Sequence, residues 1–355
     1  MIASARSRVR VDAAGVPSRV RAAVPVACGF AFLLVALVAG LLVGPVHIGV
    51  GPVVGSALSH VPFLHVRSHL SPVDSAIVWQ LRAPRVVLGA LVGGMLAIAG
   101  ASYQGAFRNP LADPYLLGIA AGAGLGATLA IAYANGAVAS YDLIPLAAFG
   151  GASLAVACTY VLGGAGGRSP ATLILAGVTM VSFFTALQTF VQQQHSQSLQ
   201  EIYSWILGRL DTAGWHDVAL VTPYVAVSTA VILLHRRLLD VLSVGEQEAS
   251  TLGVDVARTR LLVVGAATLG TAAVVAVSGL IGFVGIIVPH TIRLMAGTSY
   301  RRILPLSMIV GAAFLMAADL AARTLTSPAE IPIGVITAFF GAPFFVMVLY
   351  RRARP

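Results

Sequence analysis

The chain has 355 residues, of which 58% are hydrophobic and only 10% are charged, and its mean hydropathy is +0.90. Soluble domains usually carry about a quarter charged residues, so this composition excludes a soluble protein and indicates several membrane spans. The net charge of +9 comes from arginine alone, because the sequence contains no lysine. The arginines lie at the ends of apolar segments and not in one patch, which excludes nucleic-acid binding and is typical of membrane orientation.

About ten apolar segments of roughly 18 to 25 residues follow one another, each long enough to cross a bilayer core of about 30 Å. Lipid leaves unpaired backbone groups without water, and the segments are too long for barrel strands, so they must be helices. We therefore predict an all-α polytopic membrane protein with about ten transmembrane helices in residues 24–350, flanked by cytoplasmic tails at 1–23 and 351–355. Cys28 and Cys158 lie inside apolar segments and favour neither a disulfide framework nor a metal site.

The first span is predicted at residues 24–43, after an arginine-rich tail, and residues 47–80 are predicted to form an exterior loop. This loop contains His60, His65 and His69. Their spacing suits a metal or haem contact, although histidines in a loop are more often ordinary surface residues.

The second span is predicted at residues 85–107, where many small residues allow close packing between helices. Pro110 and Pro114 then forbid a continuous helix. Asn109 and Asp113 precede these prolines and can cap the turns that follow.

A third span is predicted to end near residue 133, and a fourth covers residues 143–162. Residues 163–167 are rich in glycine and are expected to form a flexible inner loop. Ser169 followed by Pro170 is a typical cap and first turn, so the fifth span should begin there.

The fifth span is the most polar one. Ser182, Thr185, Thr189 and Gln192 recur at spacings of three and four residues, with Gln188 beside them, so they share one face of a helix. Such residues either bond to a neighbouring helix or line a hydrated path, and the sequence leaves both possibilities open.

The longest polar stretch after the tail is residues 239–260. Ser243 and Glu246 are spaced as a capping box, so a short helix should begin at Ser243 and end at Gly253. A second turn can begin at Asp255. The stretch is either an ordinary solvated loop or a docking surface for a soluble partner.

The sixth span is predicted at residues 218–234. Two further spans follow within residues 261–296, the ninth covers residues 303–325, and the tenth ends near residue 350. With the tail inside, 17 of the 22 arginines fall on the cytoplasmic side. The excess supports an even number of spans with both ends in the cytoplasm. The exterior arginines are Arg67, Arg82, Arg85, Arg209 and Arg323.

Five motifs together resemble the permease family of bacterial ABC importers for iron-siderophores, haem and vitamin B12. They are Leu-Arg-Ala-Pro-Arg at 81–85, Arg-Asn-Pro-Leu-Ala-Asp-Pro at 108–114, the polar run 245–253, Gly-Phe-Val-Gly-Ile-Ile-Val-Pro-His at 282–290, and Glu-Ile-Pro-Ile-Gly at 330–334 with Gly-Ala-Pro at 341–343. Each is weak alone, but five in the family's order are specific.

This resemblance implies a vitamin B12 importer permease-like subunit in the bacterial inner membrane. Its implied partners are a second copy of the chain or a paralogous permease, two ATPase subunits, a substrate-binding protein outside the cell, and the lipid bilayer. The chain itself is expected to bind no cofactor or metal and to catalyse no reaction, since ATP and Mg²⁺ would be held by the ATPase.

The resemblance also assigns roles to individual residues. ATPase coupling, within residues 240–257, falls to Glu246, Gln247, Glu248, Leu252, Gly253 and Asp255. Docking of the binding protein falls to Arg82 and Arg323, which are expected to face outward. The translocation path falls to Met180, Phe183, Phe184, Gln188 and Gln192, and the inner gate to Gly166, Gly167, Ser169 and Pro170.

Two other function classes are weighed from the residues. An ion-coupled secondary transporter usually carries acids deep in its spans, whereas Asp319 is the single acid within a predicted span and lies towards its outer end. A membrane enzyme is not supported by any nucleophile with a nearby base. A phosphate-binding GxxxxGK[ST] loop needs lysine, so any ATP must be bound by another chain.

Overall fold

The computed structural model describes residues 18–59, 70–134, 143–165 and 169–353, and within them the regular structure is entirely helical. The helices are α1 (Ser18–Leu42), α2 (Val50–Ser59), α3 (Pro72–Ala76), α4 (Ala83–Ala106), α5 (Ile119–Tyr133), α6 (Leu143–Ala165), α7 (Pro170–Gln194), α8 (Leu199–Ile206), α9 (Trp215–Leu234), α10 (Arg236–Leu242), α11 (Glu246–Thr251), α12 (Val256–Ser278), α13 (Val284–Ala296), α14 (Tyr300–Thr324) and α15 (Ile333–Ala353).

Seven helical stretches are long and apolar enough to cross a membrane. Four shorter apolar helices are also present in the described residues, and three of them, α5, α13 and α15, have the positions along the chain that are expected for the remaining spans. The all-α polytopic fold is therefore confirmed, and the described residues account for about ten spans.

The second span begins earlier than predicted. Helices α3 and α4 are joined by a π-helical turn, Ile77–Arg82, into one stretch, Pro72–Ala106. The expected exterior loop at 47–80 therefore holds α2 and the beginning of this stretch. Pro72 follows Ser71, whose Oγ accepts a hydrogen bond from the backbone of Asp74, so a cap and a first-turn proline set the start. The three loop histidines lie outside the described residues.

Part of the predicted glycine-rich loop at 163–167 is helical, because α6 continues to Ala165. Gly163 is packed against α7, where a side chain on it would come within 2.7 Å of Leu173 Cδ2. Glycine inside a helix normally lowers the stability of that helix, but here it allows α6 and α7 to pack closely.

Helix α4 occupies the centre of the bundle and is buried along most of its length. Its neighbours approach so closely that a Cβ on Gly93 would overlap the carbonyl oxygen of Gly311 in α14. A Cβ on Gly100 would likewise overlap the carbonyl oxygen of Gly285 in α13. Small residues at these crossings let three backbones touch, which maximises van der Waals contact.

We expect Gly100→Ala to lower the free energy of unfolding by about 1–3 kcal/mol, because the added methyl group must displace the backbone of α13. Thermal unfolding of the purified chain in detergent measures the effect. Gly265→Ala is the matched control, since Gly265 is also helical but has no atom within 4 Å of an added Cβ. Equal stability of the two variants would show that the α4–α13 contact is looser than described.

Candidate functional site

The polar connection between α9 and α12, residues 235–255, consists of α10 and α11 held against the bundle. Leu239 and Ala249 are fully buried, and Leu242 is nearly so. One side of each short helix is therefore anchored by apolar side chains, which explains how so polar a segment keeps a fixed position.

Asp240 attaches the polar connection to the beginning of α14. Its Oδ1 accepts a hydrogen bond from the backbone N–H of Tyr300, and its Oδ2 accepts one from Ser299 Oγ at 2.9 Å. The guanidinium of Arg301 lies 3.5 Å from the same carboxylate. A carboxylate satisfies the free N–H groups at a helix start and complements its dipole, so Asp240 fixes α10 to α14.

Arg260 attaches the polar connection to two other helices. It lies in the second turn of α12 and is only 8% exposed. Its Nε donates to the carbonyl oxygen of Ala106, the last residue of α4, at 3.2 Å. Its Nη2 donates to the carboxylate of Glu246 at the start of α11. A movement of α11 is thus connected through one side chain to both α4 and α12.

The opposite side of the polar connection is open. Val244 is 64% exposed and Leu252 is 70% exposed, on either side of α11. Gln247, Glu248, Gly253 and Asp255 are also exposed there. Exposed apolar side chains surrounded by polar ones are typical of protein interaction surfaces.

The predicted start of this helix is wrong. Helix α11 begins at Glu246 with Gly245 as its N-cap, whereas Ser243 ends α10 and donates its Oγ hydrogen to the carbonyl oxygen of Asp240 at 2.6 Å. Gly245 has φ +157°, a backbone conformation that residues with a side chain rarely adopt. The capping position therefore favours glycine, which lies two residues after the predicted serine.

The predicted end and restart are both observed. Gly253 has φ +81°, its N–H donates to the carbonyl oxygen of Ser250, and the following N–H donates to that of Ala249. These two bonds form a Schellman cap. Asp255 then caps α12, and its Oδ1 accepts a hydrogen bond from the N–H of Arg258 at 2.9 Å.

Three of the residues assigned to the translocation path face the chain's own helices. Phe184 is 4% exposed and packs with Met180 in a cluster with α5 and α6. Gln188 Nε2 donates to Thr128 Oγ1 in α5 at 3.3 Å. Glycines in α5 permit this approach, since a Cβ on Gly124 would come within 2.9 Å of the Gln188 side chain. Sequence periodicity could not reveal this contact because it depends on α5.

The polar face of α7 lies on a side that no described helix covers. Ser182, Thr185 and Thr189 are exposed, and Gln192 is partly exposed. The hydroxyl groups of Ser182 and Thr189 donate to carbonyl oxygens of α7 itself. Phe183 is 53% exposed on the same open side. These hydroxyls therefore do not hold another of the described helices.

The inner-gate residues divide into two groups. Ser169 and Pro170 begin α7 as predicted, with Ser169 Oγ accepting a hydrogen bond from the N–H of Thr172 at 3.2 Å. Gly166 and Gly167 lie outside the described residues.

The opposite end of the bundle contains Arg82 and Arg323, and their expected outward orientation is wrong. Both are buried, at 5% and 3% exposure. Arg82 Nη1 donates to the carbonyl oxygens of Leu41 and Leu42, and Arg323 Nη2 donates to that of Gly40. These carbonyls end α1 and lack intrahelical donors, so two cations satisfy them and complement the helix dipole.

Arg85 connects two of the sequence motifs at this end. Its Nε and Nη2 donate to the carboxylate of Asp319, and its Nη1 and Nη2 donate to that of Glu330, all at 2.8–3.1 Å. Arg323 lies 3.5 Å from the same Asp319. The sequence placed Arg85 and Glu330 in separate motifs but gave no sign that they meet. Within the described residues, no group of three acids, histidines or cysteines is arranged to hold a metal ion.

The model of the FecCD transport family matches residues 32–351, which is most of the chain and includes all five motifs. The chain belongs to the FecCD transport family. The predicted resemblance is therefore confirmed. FecCD is a family of transport permeases and not of enzymes.

Relatives of this FecCD chain include permease proteins from two organisms. The cobalamin import system permease protein BtuC of Halobacterium salinarum is 45% identical over 278 residues, which cover 78% of this chain and 74% of that protein. YvrB of Bacillus subtilis, an uncharacterized ABC transporter permease protein, is 39% identical over 329 residues, covering 92% and 93%. A solved metal-chelate type ABC transporter in an inward-facing conformation is 30% identical, with a TM-score of 0.79 over 91% of this chain and 98% of that one.

Asp113, in the segment between α4 and α5, is the titratable group with the clearest electrostatic cost. Removal from water raises its pKa to about 6, and a hydrogen bond from the N–H of Tyr115 opposes this rise. It caps the short 3₁₀ turn Pro114–Leu117, as the sequence predicted. This FecCD chain therefore keeps a desolvated carboxylate there at neutral pH.

We expect Arg82→Gln to lower the free energy of unfolding by about 2–3 kcal/mol, because charge-assisted bonds to the end of α1 are lost and buried carbonyls remain unpaired. Chemical unfolding in mixed micelles measures the loss. Arg236→Gln, at an exposed position in α10, makes the same chemical change and should cost little. If Arg82→Gln leaves stability unchanged but slows docking of a binding protein, the buried role of Arg82 is contradicted and its predicted docking role is supported.

A second expectation concerns the pH dependence of stability. The folded-state pKa of Asp113 lies above its ordinary value of 3.8, so the wild-type chain loses stability as pH rises from about 4 to 6 and no further above that. Asp113→Asn should therefore be more stable by about 1–3 kcal/mol above pH 6, and this gain should disappear near pH 4. Asp255→Asn, at an exposed cap, is the control. A pH-independent difference for Asp113→Asn would contradict the desolvation argument.

Proposed function

We propose that this FecCD chain is the permease subunit of an ATP-driven ABC importer that moves a metal chelate into the cytoplasm. A substrate-binding protein delivers the chelate from outside, and two ATPase subunits drive the transport. Family membership, a cobalamin import permease at 45% identity and an ABC transporter permease at 39% identity support this proposal. Because that relative is named for cobalamin import, cobalamin is the first substrate to test, followed by haem and ferric siderophores.

The observation that carries the proposal is the open face of the polar connection. Gln247, Glu248 and Leu252 are exposed, while the opposite side is bound to α4, α12 and α14 through Arg260 and Asp240. A partner that pushes on α11 therefore acts on three helices of the bundle at once. A surface that is exposed on one side and attached to the spans on the other suits the transmission of ATPase movement.

The α11 end of the bundle faces the cytoplasm in this proposal, and the chain lies in the bacterial inner membrane. The excess of arginine at that end supports this orientation. The nucleotide and its Mg²⁺ are bound by the separate ATPase subunits, because a chain without lysine has no phosphate-binding GxxxxGK[ST] loop.

The open side of α7 supports a second permease copy, either identical or paralogous, around a shared path. Phe183 and Phe190 in α7 are 53% and 61% exposed, and Phe339 in α15 is 73% exposed. With the polar stripe of Ser182, Thr185 and Thr189, the two phenylalanines of α7 give that helix a mixed face. A transport path must let a bulky substrate move through without binding it tightly, and hydroxyl groups and aromatic rings suit this requirement.

Ion coupling is the weaker alternative. Asp319 is bonded to Arg85 and lies close to Arg323, so its charge is already balanced within the chain. A coupling acid must exchange its counter-ion during transport. Reconstituted vesicles separate the two mechanisms, because uptake of cobalamin should need ATP and both partner proteins and should persist when ion gradients are collapsed.

We expect Glu248→Arg to weaken binding of the ATPase subunit by about tenfold and to lower ATP-dependent uptake, since a reversed charge at an interface costs affinity. Affinity is measured between the detergent-purified permease and ATPase. Glu246→Gln should act differently: it breaks the bond to Arg260 and should reduce transport more than ATPase binding.

Glu201→Arg is the matched control for this experiment. Glu201 is exposed in α8 at the opposite end of the bundle, so the same charge change there should leave ATPase affinity unaltered. Normal ATPase binding and normal uptake in Glu248→Arg would refute the coupling role of α11.

A further inference from the structure

A cavity of about 730 Å³ opens between α1, α13 and α14 at the α11 end of the bundle. This volume falls within the range of about 300–1,000 Å³ that is typical of small-molecule sites. Its walls are apolar, and the side chains that form them are Val26, Phe30, Met295, Leu306 and Ile309. The coupling surface and the open face of α7 contribute no residue to it.

Helix packing explains why this space stays open. Helices α1 and α14 touch at Gly29, where an added Cβ would lie 3.4 Å from Val310 and 3.6 Å from Ile309. Towards the beginning of both helices they separate, and each carries a proline in the cavity wall, Pro25 in α1 and Pro305 in α14. A proline ring inside a helix bends it and replaces a backbone donor, so regular helix packing does not continue past the contact at Gly29.

Positive charge lies at the rim of the cavity. Arg301 and Arg302 are both exposed, and both line it. The Arg301 guanidinium is 3.5 Å from Asp240, whose carboxylate also bonds to the beginning of α14. Arg302 Nη1 lies 3.4 Å from the carbonyl oxygen of Ala296. The described residues at the rim thus present two guanidinium groups against one carboxylate.

We propose that this cavity binds an anionic phospholipid, with an acyl chain between α1 and α14 and the phosphate at Arg301 and Arg302. Basic pockets between membrane helices bind anionic headgroups, and each arginine near the surface contributes about 1 kcal/mol. The apolar walls give the acyl chain a place that a free phosphate ion would not use. The lipid fills the gap between α1 and α14 on the N-terminal side of Gly29 and contacts both helices.

Native mass spectrometry of the full-length purified permease tests this proposal. The probes are palmitoyl-oleoyl phosphatidylglycerol and the phosphatidylcholine with the same acyl chains. The wild-type protein should bind the phosphatidylglycerol more tightly. Arg302→Gln should weaken that binding about fivefold, which corresponds to one arginine at the headgroup. Val26→Trp should weaken the binding of both lipids, because the larger side chain occupies the apolar part of the cavity and leaves the charges in place. Val26 is exposed, so the cavity has room for the change.

Arg237→Gln is the matched control. Arg237 is an exposed arginine at the same end of the bundle, in α10, but it does not line the cavity, so its loss should leave lipid affinity unchanged. Melting curves of all variants check the fold. The proposal is overturned if wild-type protein binds the two lipids equally, if Arg302→Gln and Arg237→Gln behave alike, or if millimolar inorganic phosphate displaces the phosphatidylglycerol. ATP-driven uptake is measured separately, so a failure of the lipid proposal and a failure of the proposed transport function are distinguished.

Discussion

Direct contact between the backbones of α4, α13 and α14 determines the arrangement of this chain. Lipid tails are as apolar as leucine, so burying apolar side chains gives membrane helices little reason to associate. Association must come from close van der Waals contact, and the crossings of Gly93 with Gly311 and of Gly100 with Gly285 provide it. Because α4 is held at the centre, both of its ends have fixed positions, and other segments bond to them.

The two ends of α4 use polar bonds in different ways. At one end, Arg82 and Arg85 satisfy carbonyls and carboxylates brought by α1, α14 and the segment after α14. At the other end, the carbonyl of Ala106 holds Arg260 and, through it, Glu246. Buried arginines persist in a membrane protein because each one is bonded to several oxygen atoms. A force applied at α11 therefore reaches the central helix directly.

Apart from the open face of the polar connection, two parts of the surface stand out because the described chain does not cover them. One is the side of α7 that carries exposed hydroxyls and phenylalanines, and the other is the cavity between α1 and α14. Their chemistry differs, since the first mixes hydroxyls with aromatic rings whereas the second is concave, apolar and edged by arginine. Such a difference fits two kinds of partner, a protein chain in one case and a lipid in the other.

Composition, span length and charge placement were sufficient to predict a helical membrane protein with about ten spans, and five motifs were sufficient for its family. Local capping chemistry also predicted the start of α7 at Ser169, the cap at Gly253 and the restart at Asp255, because each depends only on residues within one turn. The orientation of Arg82, Arg323, Phe184 and Gln188 could not be predicted in this way. Each is decided by a helix distant in sequence, which supplies a carbonyl or a glycine surface, and periodicity along one helix does not say which of its faces another helix will cover.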